Sequence, residues 1–210
     1  MNRGYTRESY LELISRARAR IPNLSIVGDM IVGFPTETDA EFQESLTLLD
    51  EVMFKQVYVF KYSPRPGTVS GKRDPDDITT QVKKERNNMM LRHQQKISLA
   101  QHQALLGQTF YVLVERVAKN QGLDGASKNS PYPEEDQTEG SQGGLVQIGG
   151  IQPKLVKSVT SDAAPQKIRL SARTRGDHIV IFEGSESDIG QIVPVKITEA
   201  RALSTSGVRV

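Results

Sequence analysis

Ser25-Ile26-Val27-Gly28-Asp29-Met30-Ile31-Val32-Gly33-Phe34-Pro35-Thr36-Glu37-Thr38 is the stretch whose reading decides the fold. Its first ten residues are almost continuously apolar and β-branched rather than alternating, the pattern of a strand covered on both faces in a parallel sheet. Asp29 is the anomaly in that run. Gly33-Phe34-Pro35 punctuates it, and Thr38-Asp39-Ala40-Glu41 matches a capping box, so a helix follows. Phe42, Leu46, Leu49 and Met53 supply the buried stripe of that helix. Gln56 to Tyr62, with Val57, Tyr58, Val59 and Phe60, reads as a second two-sided strand. Ser63-Pro64-Arg65-Pro66-Gly67-Thr68 ends it, because proline cannot donate to a ladder. The result is one strand–helix–strand unit with parallel strands.

Working outward, Thr6 is a plausible N-cap for a helix running to about Arg20, with Tyr10, Ile14, Ala17 and Ile21 on one face until Pro22-Asn23 stops it. Beyond Asp74-Pro75-Asp76-Asp77 the spacing predicts a long helix over Thr79 to Leu106. Val82, Met89, Ile97, Ala100 and Ala104 fall near one face of it, and Gly107 ends it. His93 and His102 lie on that helix too far apart to meet as metal ligands, and they read as ordinary surface or packing residues. Two parallel strands cannot close a barrel, so residues 1–107 read as the later portion of an α/β domain whose earlier portion is missing.

From Gln108 the period changes from 3.6 to 2. Phe110 to Val117, Ile168 to Leu170, His178 to Phe182 and Ile192 to Ile197 read as strands, with Gly176-Asp177, Gly184 and Gly190 as turns. Short strands between glycine turns predict a small antiparallel barrel over residues 108–210. Lys119 to Gln166, rich in glycine, proline and serine and carrying Glu134-Glu135-Asp136, reads as a disordered insertion in it.

Composition narrows the chemistry. The chain has 210 residues, a net charge of +2 and 37% apolar residues, which with its 17 glycines reach roughly 45%, the globular range, and it lacks a field strong enough to hold nucleic acid at long range. The absence of cysteine removes disulfides, thiolate nucleophiles, thiolate zinc sites and cysteine-ligated iron–sulfur clusters together. No stretch is long and apolar enough to span a membrane, and the expectation is a cytoplasmic chain with no membrane partner. In parallel α/β folds ligands meet the C-terminal ends of strands, which points to Asp29 through Glu37 and to Tyr62 through Thr68. The bland alternative is that Gly33 and Pro35 shape a turn while Glu37 complements the helix dipole.

Met1-Asn2-Arg3-Gly4-Tyr5-Thr6, then Asp29-Met30-Ile31-Val32-Gly33-Phe34-Pro35-Thr36-Glu37-Thr38, then Tyr62-Ser63-Pro64-Arg65-Pro66-Gly67-Thr68, in this order, resemble the later part of the radical S-adenosylmethionine methylthiotransferases. The nearest branch is the tRNA 2-methylthio-adenosine synthases. The segment from Gln108, with Arg173-Thr174-Arg175 and Val195 to Ala202, resembles that family's C-terminal TRAM domain, an RNA-binding, OB-like barrel. Two features depart from the family: Thr36 stands where glycine is usual, and the cluster-ligating cysteines are absent.

The resemblance implies a fold of α/β plus all-β class, a radical-SAM partial (β/α) barrel followed by the TRAM barrel. It implies methylthiolation of an isopentenyl-type adenosine beside the anticodon of tRNA, performed by a longer enzyme whose missing N-terminal half is a partner. This chain alone would be inactive. Full-length members use S-adenosylmethionine and [4Fe-4S] clusters, the latter without ligands here. Arg3, Asp29, Gly33 and Glu37, with Tyr62 and Arg65 at the next strand end, are the implied S-adenosylmethionine-side residues. Arg173, Arg175, Lys196 and Arg201 are the candidate RNA contacts, with Tyr111 or Phe182 for base stacking. Two readings compete: a stand-alone RNA-binding module without catalysis, and a methylthiotransferase acting on a ribosomal protein. The latter is disfavoured by the turn at Ser63 to Thr68.

Overall fold

The computed structural model describes residues 4–73, 75–118 and 167–210. Arg3 and the stretch read as an insertion, residues 119–166, lie outside the described residues. The chain opens with helix α1 (Arg7–Arg20), whose N-cap Thr6 and Ser9 bond each other's backbone N–H reciprocally. Tyr10, Leu11 and Ile14 pack partly buried against the first core. Strand β1 (Val27–Val32), helix α2 (Asp39–Val52) and strand β2 (Gln56–Lys61) follow as expected, and β1 pairs β2 in parallel. Thr38 and Glu41 form the expected capping box. Phe42, Leu46, Leu49 and Val52 are the buried stripe of α2, and burial of each side chain stabilises by about 2 kcal/mol. Met53 is not in that stripe: it is the left-handed C-cap at φ 48°, and it is exposed.

Among the described residues, helices cover the strands on one face only. Met30, Val32, Val57 and Val59 face the helices with Phe54, whose ring Gly28 admits; a Cβ on Gly28 would sit 2.9 Å from it. On the other face Val27 is 48% exposed, Tyr58 50% and Phe60 53%, and Asp29 pairs directly with Tyr58. The expectation of burial on both faces is corrected here: the apolar residues are present on both faces, but the described residues supply helices for one.

After the short helix α3 (Val69–Arg73) comes α4 (Thr80–Gln103), capped by Thr79. Its buried side chains are Lys83, Arg86, Met90, Gln94, Ile97, Ser98 and His102, of which only Ile97 belongs to the expected face of Val82, Met89, Ile97, Ala100 and Ala104. Met89 is 41% exposed. The polar members of this face bond to backbone groups that close the α/β layer: Asn87 donates to the Val59 carbonyl at 3.1 Å and Gln94 to that of Phe54 at 2.7 Å. Periodicity in apolar residues missed the face because long polar side chains fill it.

The second core lies inside a closed barrel of β3 (Thr109–Val117), β4 (Ile168–Thr174), β5 (Ile179–Gly184), β6 (Ile192–Ala200) and β7 (Thr205–Arg209), in the order β3-β4-β5-β7-β6. Val112, Val114, Leu170, Val180, Phe182, Val193, Val195 and Ile197 fill it. The expected barrel had five strands, as observed, but was wholly antiparallel, and only four of its strands were placed in the sequence, not β7. Closure in fact runs through a parallel β5–β7 pair, with Thr205 donating to the Ile179 carbonyl at 3.0 Å and Arg209 bound to Asp188 at 2.7 Å. Thr205-Ser206-Gly207-Val208-Arg209 has too few alternating apolar residues to announce a strand.

Helix α4 and the β1–β2 layer meet the barrel at one junction. Ser25 donates to the Gly176 carbonyl at 2.7 Å, Lys55 bonds Asp177, and Gly107 N–H donates to the Ile197 carbonyl at 2.9 Å. His102 is bound through Nδ1 to the Arg201 carbonyl at 2.6 Å, and its ring meets that of His178 edge-on at 5.2 Å. Burial, with His102 and Lys55 nearby and Asp177 opposing, pushes the His178 imidazole from 6.5 down to about 4. The unfolded chain therefore takes up a proton below pH 6.5 that the folded chain refuses until about pH 4, so stability is full above 6.5 and lost between the two. The melting temperature should fall across that window, and in His178→Asn it should fall less; an equal fall in the variant would place the pH dependence elsewhere.

Candidate functional site

At the C-terminal ends of β1 and β2 the chain turns through a loop built around Glu37. Gly33 enters it at φ +68°, and its N–H donates to the Glu37 carboxylate at 2.7 Å. The same carboxylate accepts Arg86 Nη1 at 2.6 Å, that nitrogen also reaches the Glu37 carbonyl at 3.0 Å, and Arg86 Nη2 holds Asp39 at 2.7 Å. Burial acts to lower the Arg86 pKa, but the hydrogen bonds from Asp39 and Glu37 outweigh it and raise the value. Thr36, in a left-handed conformation at φ 67°, donates its N–H to Asp77 at 2.8 Å. Glycine would adopt that conformation without strain, so Thr36 costs backbone energy that its bond to Asp77 helps to offset.

Beside this loop Lys83 runs its stem under Gly33 and binds Asp76 through Nζ. A Cβ on Gly33 would lie 2.3 Å from Lys83 Cγ, so glycine here makes room for the protein's own side chain. Lys83 Nζ stands 5.3 Å from the Tyr62 ring centroid, Phe34 meets that ring edge-on at 5.0 Å, and the Tyr62 hydroxyl pairs with Ser70 at 3.0 Å. Gly33, Glu37 and Tyr62 are thus brought to one place. Asp29 lies further back along β1 on the open sheet face. Arg65 is exposed in its turn, where its carbonyl accepts the Thr68 hydroxyl at 2.8 Å.

Sequence reasoning missed Lys83 and Arg86, which hold this site. A signal existed: two cations in the first turns of a capped helix oppose its dipole, a placement that calls for acidic partners from elsewhere.

The barrel's candidate cations divide. Arg173 is bound to Asp177 and to Glu115 at 3.2 Å, and its pKa is raised chiefly by the Asp177 hydrogen bond. Arg201 lies 3.4 Å from Glu199 with both side chains exposed. Arg175 and Lys196 are exposed and have no ion-pair partner among the described residues. Phe182 is 2% exposed and cannot stack with a base, which corrects that alternative; Tyr111 is 73% exposed. Among the described residues no group of three His, Asp or Glu side chains is placed to hold a metal ion, and no helix is long and apolar enough to cross a membrane.

The Arg86–Glu37 pair is nearly buried, with side chains 7% and 12% exposed, so loss of one partner strands the other's charge. Arg86→Met should destabilise the chain by about 3 kcal/mol in urea denaturation. Asp39→Asn, at a carboxylate 95% exposed, should cost no more than about 0.5 kcal/mol. Equal effects of the two changes would remove the loop clamp as a unit of stability.

A TRAM domain profile matches residues 159–208. The barrel's first strand, β3, lies ahead of that match, on the other side of the segment outside the described residues. The tRNA-2-methylthio-N(6)-dimethylallyladenosine synthase of Moorella thermoacetica is 37% identical over 207 residues, 99% of this chain and 36% of the relative. The enzyme of that name from Oceanobacillus iheyensis is 35% identical over 210 residues, 100% of this chain and 32% of the relative. That from Flavobacterium psychrophilum is 42% identical over 130 residues, 62% of this chain and 27% of the relative. The chain thus spans about a third of the length of the relatives it matches. In sequence it matches the C-terminal, TRAM-bearing region of the tRNA-2-methylthio-N(6)-dimethylallyladenosine synthases.

Proposed function

We propose that this chain is the C-terminal part of a radical S-adenosylmethionine enzyme that methylthiolates an isopentenyl-type adenosine in tRNA, acting in the cytoplasm. In this reading residues 1–107 complete a partial (β/α) barrel begun upstream, and residues 108–210 form the barrel that holds tRNA. The observation that carries it is the half-covered parallel sheet: β1 and β2 place helices on one face and leave Val27, Asp29, Tyr58 and Phe60 exposed on the other. A strand pair belonging to a larger barrel has this asymmetry, helices outside and an apolar face turned to the lumen.

The residues present do not fit an iron–sulfur cluster, because the chain contributes no thiolate. They fit the S-adenosylmethionine side better. Asp29 on the open face and Tyr62 and Arg65 at the second strand end are the polar groups that would meet it, with Arg3 upstream. Gly33 and Glu37 act on the site indirectly, by holding the loop between strand end and helix. The cofactor supplies the radical chemistry, and these residues orient it and exclude water. On the barrel, Arg175, Lys196 and Arg201 with Arg173 supply phosphate contacts.

Two measurements test this. The 210-residue chain alone should form no 2-methylthio-adenosine in tRNA digests, and co-production with a cysteine-bearing N-terminal region of a relative should restore it. Failure of every such pairing, with both parts soluble, would favour the stand-alone RNA-binding reading. The chain should also bind tRNA in a salt-sensitive way, and Arg175→Ala with Lys196→Ala should flatten the log–log salt slope by about 1.5. An unchanged slope would move the RNA surface elsewhere.

A further inference from the structure

The outer surface of the barrel departs from the usual alternation at one place. Strands β3 and β6 bury Val112, Val114, Val193, Val195 and Ile197, so the residues between them should be polar. Instead Tyr111, Leu113, Ile192 and Pro194 occupy those outward positions. Tyr111 is directly paired with Pro194 and Leu113 with Ile192, and the next pairs along are Thr109 with Lys196 and Lys196 with Val208. Tyr111 is 73% exposed and Ile192 67%, which makes an apolar strip on β3 and β6, with Val208 of β7, 59% exposed, on the far side of Lys196. Exposed strips of this kind mark a binding surface.

Charge selects the partner. Acids close to the strip are already matched: Glu115 and Asp177 by Arg173, Asp188 by Arg209, Glu199 by Arg201. Lys196, within the strip, and Arg175, in the turn immediately after β4 and two residues beyond the Arg173 that pairs with Leu113, have no ion-pair partner among the described residues. An apolar platform centred on one aromatic ring, flanked by cations that have no ion-pair partner among the described residues and by acids that already have one, is complementary to a nucleobase with its phosphates. Aromatic side chains hold bases by their faces, which an A-form duplex conceals within its stack.

We propose that Tyr111 is a stacking platform for an unpaired RNA base, supported by Pro194 and the Leu113–Ile192 pair, with Lys196 and Arg175 holding the adjoining phosphates. The inference rests on the reading of the barrel as a tRNA-binding domain and adds to it a ring, a strand face and a preference for single-stranded RNA.

The test uses the full chain with tRNA, a single-stranded RNA oligonucleotide of about ten nucleotides, the span of one small barrel, and a duplex of equal length. Tyr111→Ala should weaken binding of the single strand by about tenfold and leave the salt slope unchanged, because stacking releases no counterion, whereas Tyr111→Phe should bind as the parent does. Lys196→Ala should reduce the slope by about 0.7. The sequence contains no tryptophan, so Tyr111→Trp introduces a sole indole; its emission should be quenched by the single strand and by tRNA, and not by the duplex. Parent-like affinity of Tyr111→Ala, alongside weakened binding by Lys196→Ala, overturns the platform while the tRNA reading stands. No binding of tRNA by the parent overturns both. A change of oligomeric state in Tyr111→Ala, seen by light scattering with RNA binding intact, assigns the strip to a second copy of the chain and overturns the proposal.

Discussion

A single guanidinium organises the α/β part of this molecule. Arg86 projects from α4 into the loop after β1, where it binds the Glu37 carboxylate, the Glu37 carbonyl and Asp39. Glu37 in turn holds the Gly33 N–H, so one cation fixes both the end of the strand and the first turn of the next helix. With side chains this nearly buried the pair is costly to desolvate, and the extra hydrogen bonds to backbone make the arrangement favourable. The loop at the mouth of the open sheet face is therefore held by the chain's own side chains. Rigid strand-end loops are what a fold of this kind uses to place a small molecule over its strands.

The same helix carries that order to the barrel. Arg86 sits near the start of α4 and His102 at its end, where the His102 ring bonds the Arg201 carbonyl and packs on His178. Lys55, directly before β2, reaches Asp177 in the turn between β4 and β5, and Ser25, just before β1, reaches Gly176 in that turn. Both strands of the parallel pair are thus tied to one barrel turn at their N-terminal ends, away from the loop that Arg86 clamps. A barrel attached there leaves the C-terminal strand ends clear.

How much of this was legible follows from the range of the interactions. The capping boxes at Thr6 and Thr38 were readable at least at their first residue, because each involves partners three positions apart. The parallel strand–helix–strand unit was readable for a similar reason, since its apolar spacing is local. The clamp was not: Glu37 and Arg86 are 49 residues apart, and basic residues at the head of α4 call for acidic partners without saying which. The β5–β7 pairing was hidden as well, since it joins distant segments and β7 carries little periodicity. Among the candidate site residues, Gly33, Glu37 and Tyr62 do converge, but through Lys83 and Arg86, which the apolar pattern of α4 passed over.

Apolar patterning says that a face is to be covered and does not say by what. The run from Val27 to Val32 and the strand from Gln56 to Lys61 carry apolar side chains on both faces, which suggested burial on both; helices cover one, and Tyr58, Phe60 and Val27 stand exposed on the other. Strand β3 repeats the situation on the barrel, with valines inside and Tyr111 and Leu113 outside. The two open faces differ in what accompanies them. Beside the sheet face stands a carboxylate, Asp29, with the strand-end loop at its edge, whereas the barrel face carries Lys196 within it and Arg175 near it. Both apolar surpluses cost solubility unless something covers them, and the partners proposed above match the charge beside each: a small ligand near the carboxylate of the sheet, a polyanion near the cations of the barrel.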